Sequence, residues 1–445
     1  MMDFLLDTFV ELASIDSYAN VSQKSVRPSS QGQMDVLQRI EHILQGLGGI
    51  YDIEYKADIL IATIAGDSDD NGAVAFMSHV DVTSDFHVGT KVKPLVWPEY
   101  DGGILHLPLN NVTLDPNILP HLADAKGDTI ITGSGDSVLG ADDKAGVVIM
   151  LALARDLLCQ DISLSFPPRR RQKKTILYFV PDGEIVGFGT AHRHYHPDVL
   201  QGIFPRDCQA VYILDAGDPG DVRWETMSTY IVTIIIDGYD MHTSFAKGTE
   251  GHGKLYERKM VNALSHASKL IADVTDMGLS PENVDGRAGF IHFFDVAATV
   301  RKAEIKAWIR AFEHEEVDTY VSLLAKLCKN MNLEGDTKAH SSPLGCSMYL
   351  DHISRNIAKR FENSGWLPVQ MAEQAMYMEG MSPVSTPIRG NTDASFIDRY
   401  YDVPVLHLYS AWHGSHGPME WVSVQELNRM VSMLHRLLQM WTEVP

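Results

Sequence analysis

Ala73-Val74-Ala75-Phe76-Met77-Ser78-His79-Val80-Asp81 is the stretch from which the fold is read. Five apolar residues run unbroken, and a His and an Asp follow, two positions apart. Continuous apolar runs mark strands buried on both faces of a parallel sheet, and α/β folds bind ligands at the carboxyl ends of such strands. The pattern recurs three times. Ile176-Leu177-Tyr178-Phe179-Val180 leads into Asp182 and Glu184; Ala210-Val211-Tyr212-Ile213-Leu214 leads into Asp215; Val405-Leu406-His407-Leu408-Tyr409 leads into His413 and His416. One acid after one strand means little. Four such ends, mixing imidazole and carboxylate, predict a single metal site built from distant segments. Those donors suit Zn²⁺, Mn²⁺ or Co²⁺ better than Mg²⁺ or Ca²⁺.

Helical spacing marks 33–46, ahead of the first run, and 143–158, between the first two. The second segment is apolar on nearly every side and is expected to be buried. Strands alternating with helices predict an α/β fold with a central, mostly parallel sheet flanked by helices. The character changes near residue 230. A strand at 230–236, a helix at 260–274, β segments at 289–300 and 304–312, and a helix at 315–331 give a β-α-β-β-α order. This predicts an inserted α+β domain at 230–342, within a larger domain made of 1–229 and 343–445. Near the end, Ser423 and Glu426 read as a capping box. Leu427, Met430, Val431, Leu434, Leu437, Leu438 and Trp441 then form one apolar stripe, which is core packing.

The chain has 445 residues, 45% hydrophobic and 21% charged, with a net charge of −21. That length suits two or three domains. The negative charge argues against nucleic acid as a partner. Cys159, Cys208, Cys328 and Cys346 are far apart and read as reduced thiols. The start, Met1-Met2-Asp3-Phe4-Leu5-Leu6-Asp7, lacks a signal-peptide pattern, and no run is long enough to span a membrane, so a cytoplasmic protein is expected.

Two acids, Asp142 and Asp143, follow Gly140 at the start of a helix. They either satisfy free amides at the helix start, or one bridges two metal ions while the other holds a neighbouring group. His79 and Asp81 fit a ligand whose second ring nitrogen is steadied by a carboxylate. Three further stretches read as surface insertions. They are Ser163–Lys174, which holds the basic run at 166–174; His192–Asp207, with His192, His194 and His196 at alternating positions; and the Gly-rich segment Thr249–Lys259. The first is expected to be a solvated loop, and the alternating histidines lack a ligand frame.

At this point the sequence resembles a known family. Ser14-Ile15-Asp16, Pro28-Ser29-Ser30-Gln31-Gly32-Gln33, Ser78-His79-Val80-Asp81, Tyr100-Asp101-Gly102-Gly103 and Leu139-Gly140-Ala141-Asp142-Asp143-Lys144-Ala145-Gly146 carry the likeness. So do Met260-Val261-Asn262-Ala263-Leu264, Pro281-Glu282, Ile309-Arg310, Pro387-Ile388-Arg389-Gly390 with Thr392-Asp393, and Glu420-Trp421-Val422. In this order they resemble the peptidase T group, tripeptide aminopeptidases among the two-zinc exopeptidases and deacylases that share a lid domain. The resemblance implies a lid at 230–342 and a two-metal aminopeptidase acting on short peptides with metal-activated water. A homodimer is also implied.

It implies roles residue by residue. His79 binds one metal and Asp81 orients it. Asp142 bridges two metals. Glu184 and His416 bind the second metal and Asp215 the first. His416 is preferred to His413 because four positions separate it from Glu420. In the lid, His242 would approach the reacting carbonyl, and Arg310 and Arg389 match positions that hold a peptide carboxylate.

One departure stands out. The family has two Glu residues after Pro-Asp, the first a general base and the second a ligand. Here the order is Pro181-Asp182-Gly183-Glu184-Ile185. One alignment puts Gly183 at the base position and keeps Glu184 as the ligand. The other makes Glu184 the base and Ile185 the lost ligand. Either way one carboxylate is missing. A slowed peptidase, or a silent binding relative, is then expected. An acylated amino acid or a dipeptide as substrate is a further alternative. Gly183→Glu discriminates between them: a large gain in rate with unchanged metal content would show that a base had been lost.

Overall fold

The four apolar runs are four neighbouring parallel strands. In the computed structural model, residues 1–23, 26–50, 52–67, 72–86, 92–158, 173–185, 187, 191, 195–248, 259–331 and 345–444 are described. Most of the basic run at 166–174, together with His192, His194, Cys159 and nearly all of 249–259, lies outside them. The seven-stranded sheet runs Asp52–Lys56, Ile59–Ile64, Lys174–Val180, Ala73–His79, Cys208–Ala216, Val405–Tyr409, Val222–Arg223. The three inner pairings are parallel. The strands at both edges are antiparallel to their neighbours. Ala73–His79 and Val405–Tyr409 are buried at every position, as strands covered on both faces must be. Their ends lie level, with His79 opposite Val180.

The helix Ala141–Leu158 is buried continuously from Ala141 to Ala154. It packs between the sheet and the helices Met2–Ala13 and Val424–Thr442. Each fully buried Leu or Ile there contributes about 1.5–3 kcal/mol. Gly146 lets the helix press onto the strands. A Cβ there would stand 2.5 Å from the Leu214 carbonyl oxygen and 2.8 Å from Ser78 Oγ.

The chain divides into two compact units. One is Met1–Trp224, Ala358–Thr386 and Thr392–Pro445; the other is Glu225–Ile357 with Pro387–Asn391. The second unit has its own core, formed by an antiparallel sheet ordered Phe290–Ala298, Lys302–Ala311, Ser228–Asp237, Gly345–Ser354. Helices Ala263–Asp276 and His314–Asn330 pack on it. The last strand lies beyond residue 342, where the sequence reading ended this domain. It is an edge strand with four of its ten residues exposed and one buried, so it lacks the apolar alternation that marks a strand.

Candidate metal centre

The site assembles where the parallel strands end. His79 is the last residue of its strand, and its ring is fixed at both nitrogens. Nδ1 lies 3.1 Å from the Asp81 carbonyl oxygen and 3.3 Å from Asp81 Oδ1. Nε2 lies 3.1 Å from Asp142 Oδ1. A carboxylate behind a ligand imidazole sets its tautomer and raises its basicity.

Asp81 also holds the next strand end. Its Oδ1 accepts from the Gly183 amide at 2.7 Å, and its Oδ2 from the Glu184 amide at 3.0 Å. The turn Gly183–Ile185 thereby swings Glu184 toward His416, whose Nε2 is 3.3 Å from Glu184 Oε2 and 3.4 Å from Asp142 Oδ2. Two groups have ligand atoms all within 4.8 Å of one another: His79, Asp142 and Glu184, and His79, Asp143 and Asp215. His79 is common to both. Asp143, read from the sequence as a neighbour's support, thus stands beside Asp215. It also accepts from Ser78 Oγ at 2.5 Å and from the His79 amide at 3.2 Å.

His413 sits elsewhere in the unit. It is buried and stacks on Trp421 at 4.0 Å, with its Nε2 2.8 Å from Glu426 Oε2 and 3.1 Å from the Tyr409 hydroxyl. Glu426 is half of the expected capping box. Its amide donates to Ser423 Oγ, while its carboxylate is turned to His413.

The electrostatics follow from crowding acids away from water. Burial raises the pKa values of Asp215 and Asp143 well above the carboxylate range, and mutual repulsion adds to it. Burial acts the same way on Asp142, but hydrogen bonds with His416 and His79 overcome it and hold that acid at about 2. His416 is held up to about 11 by Asp142 and then Glu184. Among the described residues, Asp143 Oδ1 and Glu184 Oε1 are buried without a hydrogen-bond partner. Buried acids left this way are costly. Four carboxylates and two imidazoles, with two oxygens unpartnered, fit a pair of divalent cations.

Gly183 has no room for a side chain. A Cβ there would stand 2.3 Å from His79 Cβ and 2.4 Å from His79 Cγ. Gly183→Glu would therefore press on a ligand as well as supply a carboxylate.

Supports that the sequence reading missed lie around the ligands. Glu420, buried and pushed up to about 7 by burial, accepts from the Gly140 amide at 2.7 Å and the Asp142 amide at 2.9 Å. Lys144, fully buried and lowered to about 8, donates to the Ile15 carbonyl at 2.9 Å. Both residues stood within the stretches quoted for the resemblance, but no spacing rule pairs them with their partners.

Three predicted substrate residues lie in the other unit. His242 is exposed and begins a short turn, accepting from the Ser244 amide at 3.3 Å. Arg310 donates to Asn391 Oδ1 at 3.1 Å and lies over the Trp308 ring, with Nε buried and unpartnered. Arg389 donates to the carbonyls of Gly286 and Val284 at 2.7 and 3.2 Å.

Comparison with known proteins places the chain near a set of peptidases. Residues 237–336 match the peptidase dimerisation domain family. Peptidase T of Citrobacter koseri is 28% identical over 445 residues, covering 99% of each chain, and that of Shigella boydii 29% over 448 residues, again 99% of each. Among solved structures, aminopeptidase PepT from Bacillus cereus superposes with a TM-score of 0.68 at 17% identity, covering 99% of both chains. A tripeptidase from Staphylococcus aureus gives 0.69 at 18%, covering 100% of this chain and 99% of that one. A dinuclear metal-binding peptidase of the M20 family from Bacillus subtilis gives 0.59 at 13%, with the same coverage. Among the described residues no helix is long and apolar enough to cross a membrane. The chain is a full-length relative of peptidase T and a hydrolase of the metallopeptidase type.

Proposed function

We propose that the protein is a two-metal aminopeptidase that removes the N-terminal residue of short peptides, tripeptides foremost. The observation that carries this reading is the gathering of His79, Asp142, Asp215, Glu184 and His416 at adjoining strand ends, in a full-length relative of peptidase T. Two divalent cations, Zn²⁺ foremost with Mn²⁺ or Co²⁺ as substitutes, would acidify a water and polarise the scissile carbonyl. His79, Asp142 and Asp215 would hold one, and Asp142, Glu184 and His416 the other. Asp81 orients His79 and fixes the Glu184 turn. With no side chain at Gly183, Glu184 is the carboxylate left to move the proton. Its Oε2 faces His416, and its unpartnered Oε1 would take the proton from water and pass it to the leaving amine.

His242 would polarise the carbonyl. Arg310 is the better candidate for the peptide carboxylate, because the Arg389 donors already serve two lid carbonyls. Sharing ligand and base duties on one carboxylate lowers the rate, up to the roughly 10²–10⁴-fold that general-base catalysis contributes. The match to a dimerisation domain supports a homodimer, and a cytoplasmic site of action remains part of the proposal.

Release of the N-terminal residue from a tripeptide panel, with and without Zn²⁺, Mn²⁺ or Co²⁺, tests this reading. Metal-dependent turnover on tripeptides is expected. Metal binding without turnover on any peptide would favour a second reading, a silent peptide-binding relative, for which the bare Gly183 is the motivating observation.

A further inference from the structure

The segment Arg27-Pro28-Ser29-Ser30-Gln31-Gly32-Gln33 has no part in the chemistry above, yet it reaches the ligand turn. Gln33 is the third residue of the helix Gln31–Leu47 and is fully buried. Its amide reads Asp182 twice. Nε2 donates to Asp182 Oδ1 at 2.9 Å, and Oε1 accepts from the Asp182 amide at 2.9 Å. The same Oδ1 accepts from the Ser29 amide at 3.0 Å. The Arg27 guanidinium, 1% exposed, lies 3.6 Å from Asp182 Oδ2 and balances its charge.

Asp182 needs such restraint. It adopts φ +62°, a region that non-glycine residues seldom occupy. Two residues later comes Glu184. The turn is therefore gripped from two sides, by Asp81 through the amides of 183 and 184 and by Gln33 through the amide and carboxylate of 182. Asp81 also touches His79, so its grip serves both ligand groups. Among the described residues, Gln33 bonds to the turn that bears Glu184, to Ser29 Oγ beside its helix start and, at 3.5 Å, to the Tyr18 carbonyl, and not to His79.

We propose that Gln33, backed by Arg27, is a positioning residue for the second metal ion: it holds Asp182 in its left-handed conformation and so aims Glu184. The proposal rests on the two-metal reading above. Supports behind metal ligands typically change metal affinity by about 10–100-fold. The test is calorimetric titration of the metal-free full-length protein with Zn²⁺. Its variants are Gln33→Met, which keeps the shape and removes both hydrogen bonds to Asp182, and Gln33→Glu, which keeps the acceptor and sets a carboxylate against Asp182.

Wild type is expected to bind two ions. Either variant should weaken one of them about 10–100-fold and leave the other unchanged. That loss should vanish in an Glu184→Gln background, because contacts acting through one group are not additive. Equal weakening of both ions, loss that adds fully to Glu184→Gln, or wild-type affinities in both variants would each overturn the proposal. Should Gln33→Met fail to fold, Gln33→Glu carries the test. A wild type that binds no pair of ions overturns the two-metal reading and this proposal together, whereas wild-type binding by the variants overturns the proposal alone.

Discussion

The strands Ala73–His79 and Lys174–Val180 run side by side, with His79 opposite Val180, yet they deliver their ligands by different means. His79 is part of the sheet. Its backbone is fixed by ladder bonds, and its ring by Asp81 and Asp142. Glu184 lies four residues past its strand, on a turn with Asp182 at positive φ and Gly183 pressed against the His79 ring. Nothing in the sheet fixes that turn, so it depends on acceptors and donors supplied by other segments. A ligand inside regular structure tolerates change nearby, whereas a ligand on a braced turn is as reliable as its braces.

Breaking the contact between the two strand ends should have the largest effect. Gly183→Ala puts a Cβ 2.3 Å from His79 Cβ. Overpacking of this kind costs about 1–3 kcal/mol, and the shifted ring should lower metal affinity by roughly 100-fold. Thermal unfolding of the metal-free protein and a Zn²⁺ titration read the two effects. Gly183→Glu should behave no better, and a rate gain with metal content intact would refute the steric argument.

Asp81→Asn comes next. It leaves one oxygen to serve the amides of 183 and 184 and turns an amide toward one of them. Both ions should weaken by about 10-fold or more, unlike the selective effect expected at Gln33. An effect confined to one ion would show that His79 does not need the Asp81 carboxylate.

His413→Ala sharpens the contrast from the other direction. It removes the stack on Trp421 and leaves Glu426 Oε2 without its 2.8 Å partner. Stability should fall by about 1–3 kcal/mol with metal stoichiometry unchanged. Loss of an ion in this variant would place His413 in the site after all.

The smallest effect is one of pH. His416 is held up to about 11 by Asp142 and Glu184, so a proton occupies the nitrogen that a cation would need. Affinity for Zn²⁺ should then rise with pH throughout the range below about 11, with a proton released on binding. Titrations in buffers of different ionisation enthalpy measure that proton. In the metal-free protein the same raised pKa stabilises the fold fully below the unfolded His value, and the benefit is lost as pH rises through about 11.

How legible this was in the sequence depends on how local each cause is. The four apolar runs could be read because a strand covered on both faces must be apolar throughout, and all four became the parallel centre of the sheet. The strand Gly345–Ser354 was not legible, because an edge strand needs only backbone pairing and leaves no apolar pattern. His413 and His416 are three positions apart and carry the same chemistry; what separates them is tertiary, the stack on Trp421 and the Glu426 contact for one, Asp142 and Glu184 for the other. Gly183 was legible as an absence, but its packing against His79 was not, since the two lie 104 positions apart in the chain and meet only through strand register. Glu420 and Gln33 act through bonds to residues far off in sequence, which no spacing rule anticipates.

The Glu420 contacts bear on when the site can exist at all. They join residues 280 and 278 positions apart. Closing such long loops has a high entropic cost and comes after local structure has formed. The loop that presents Asp142 is therefore finished only when nearly the last part of the chain has docked. A nascent or truncated chain could fold its sheet and still lack a formed metal site, so hydrolytic competence marks a completed molecule.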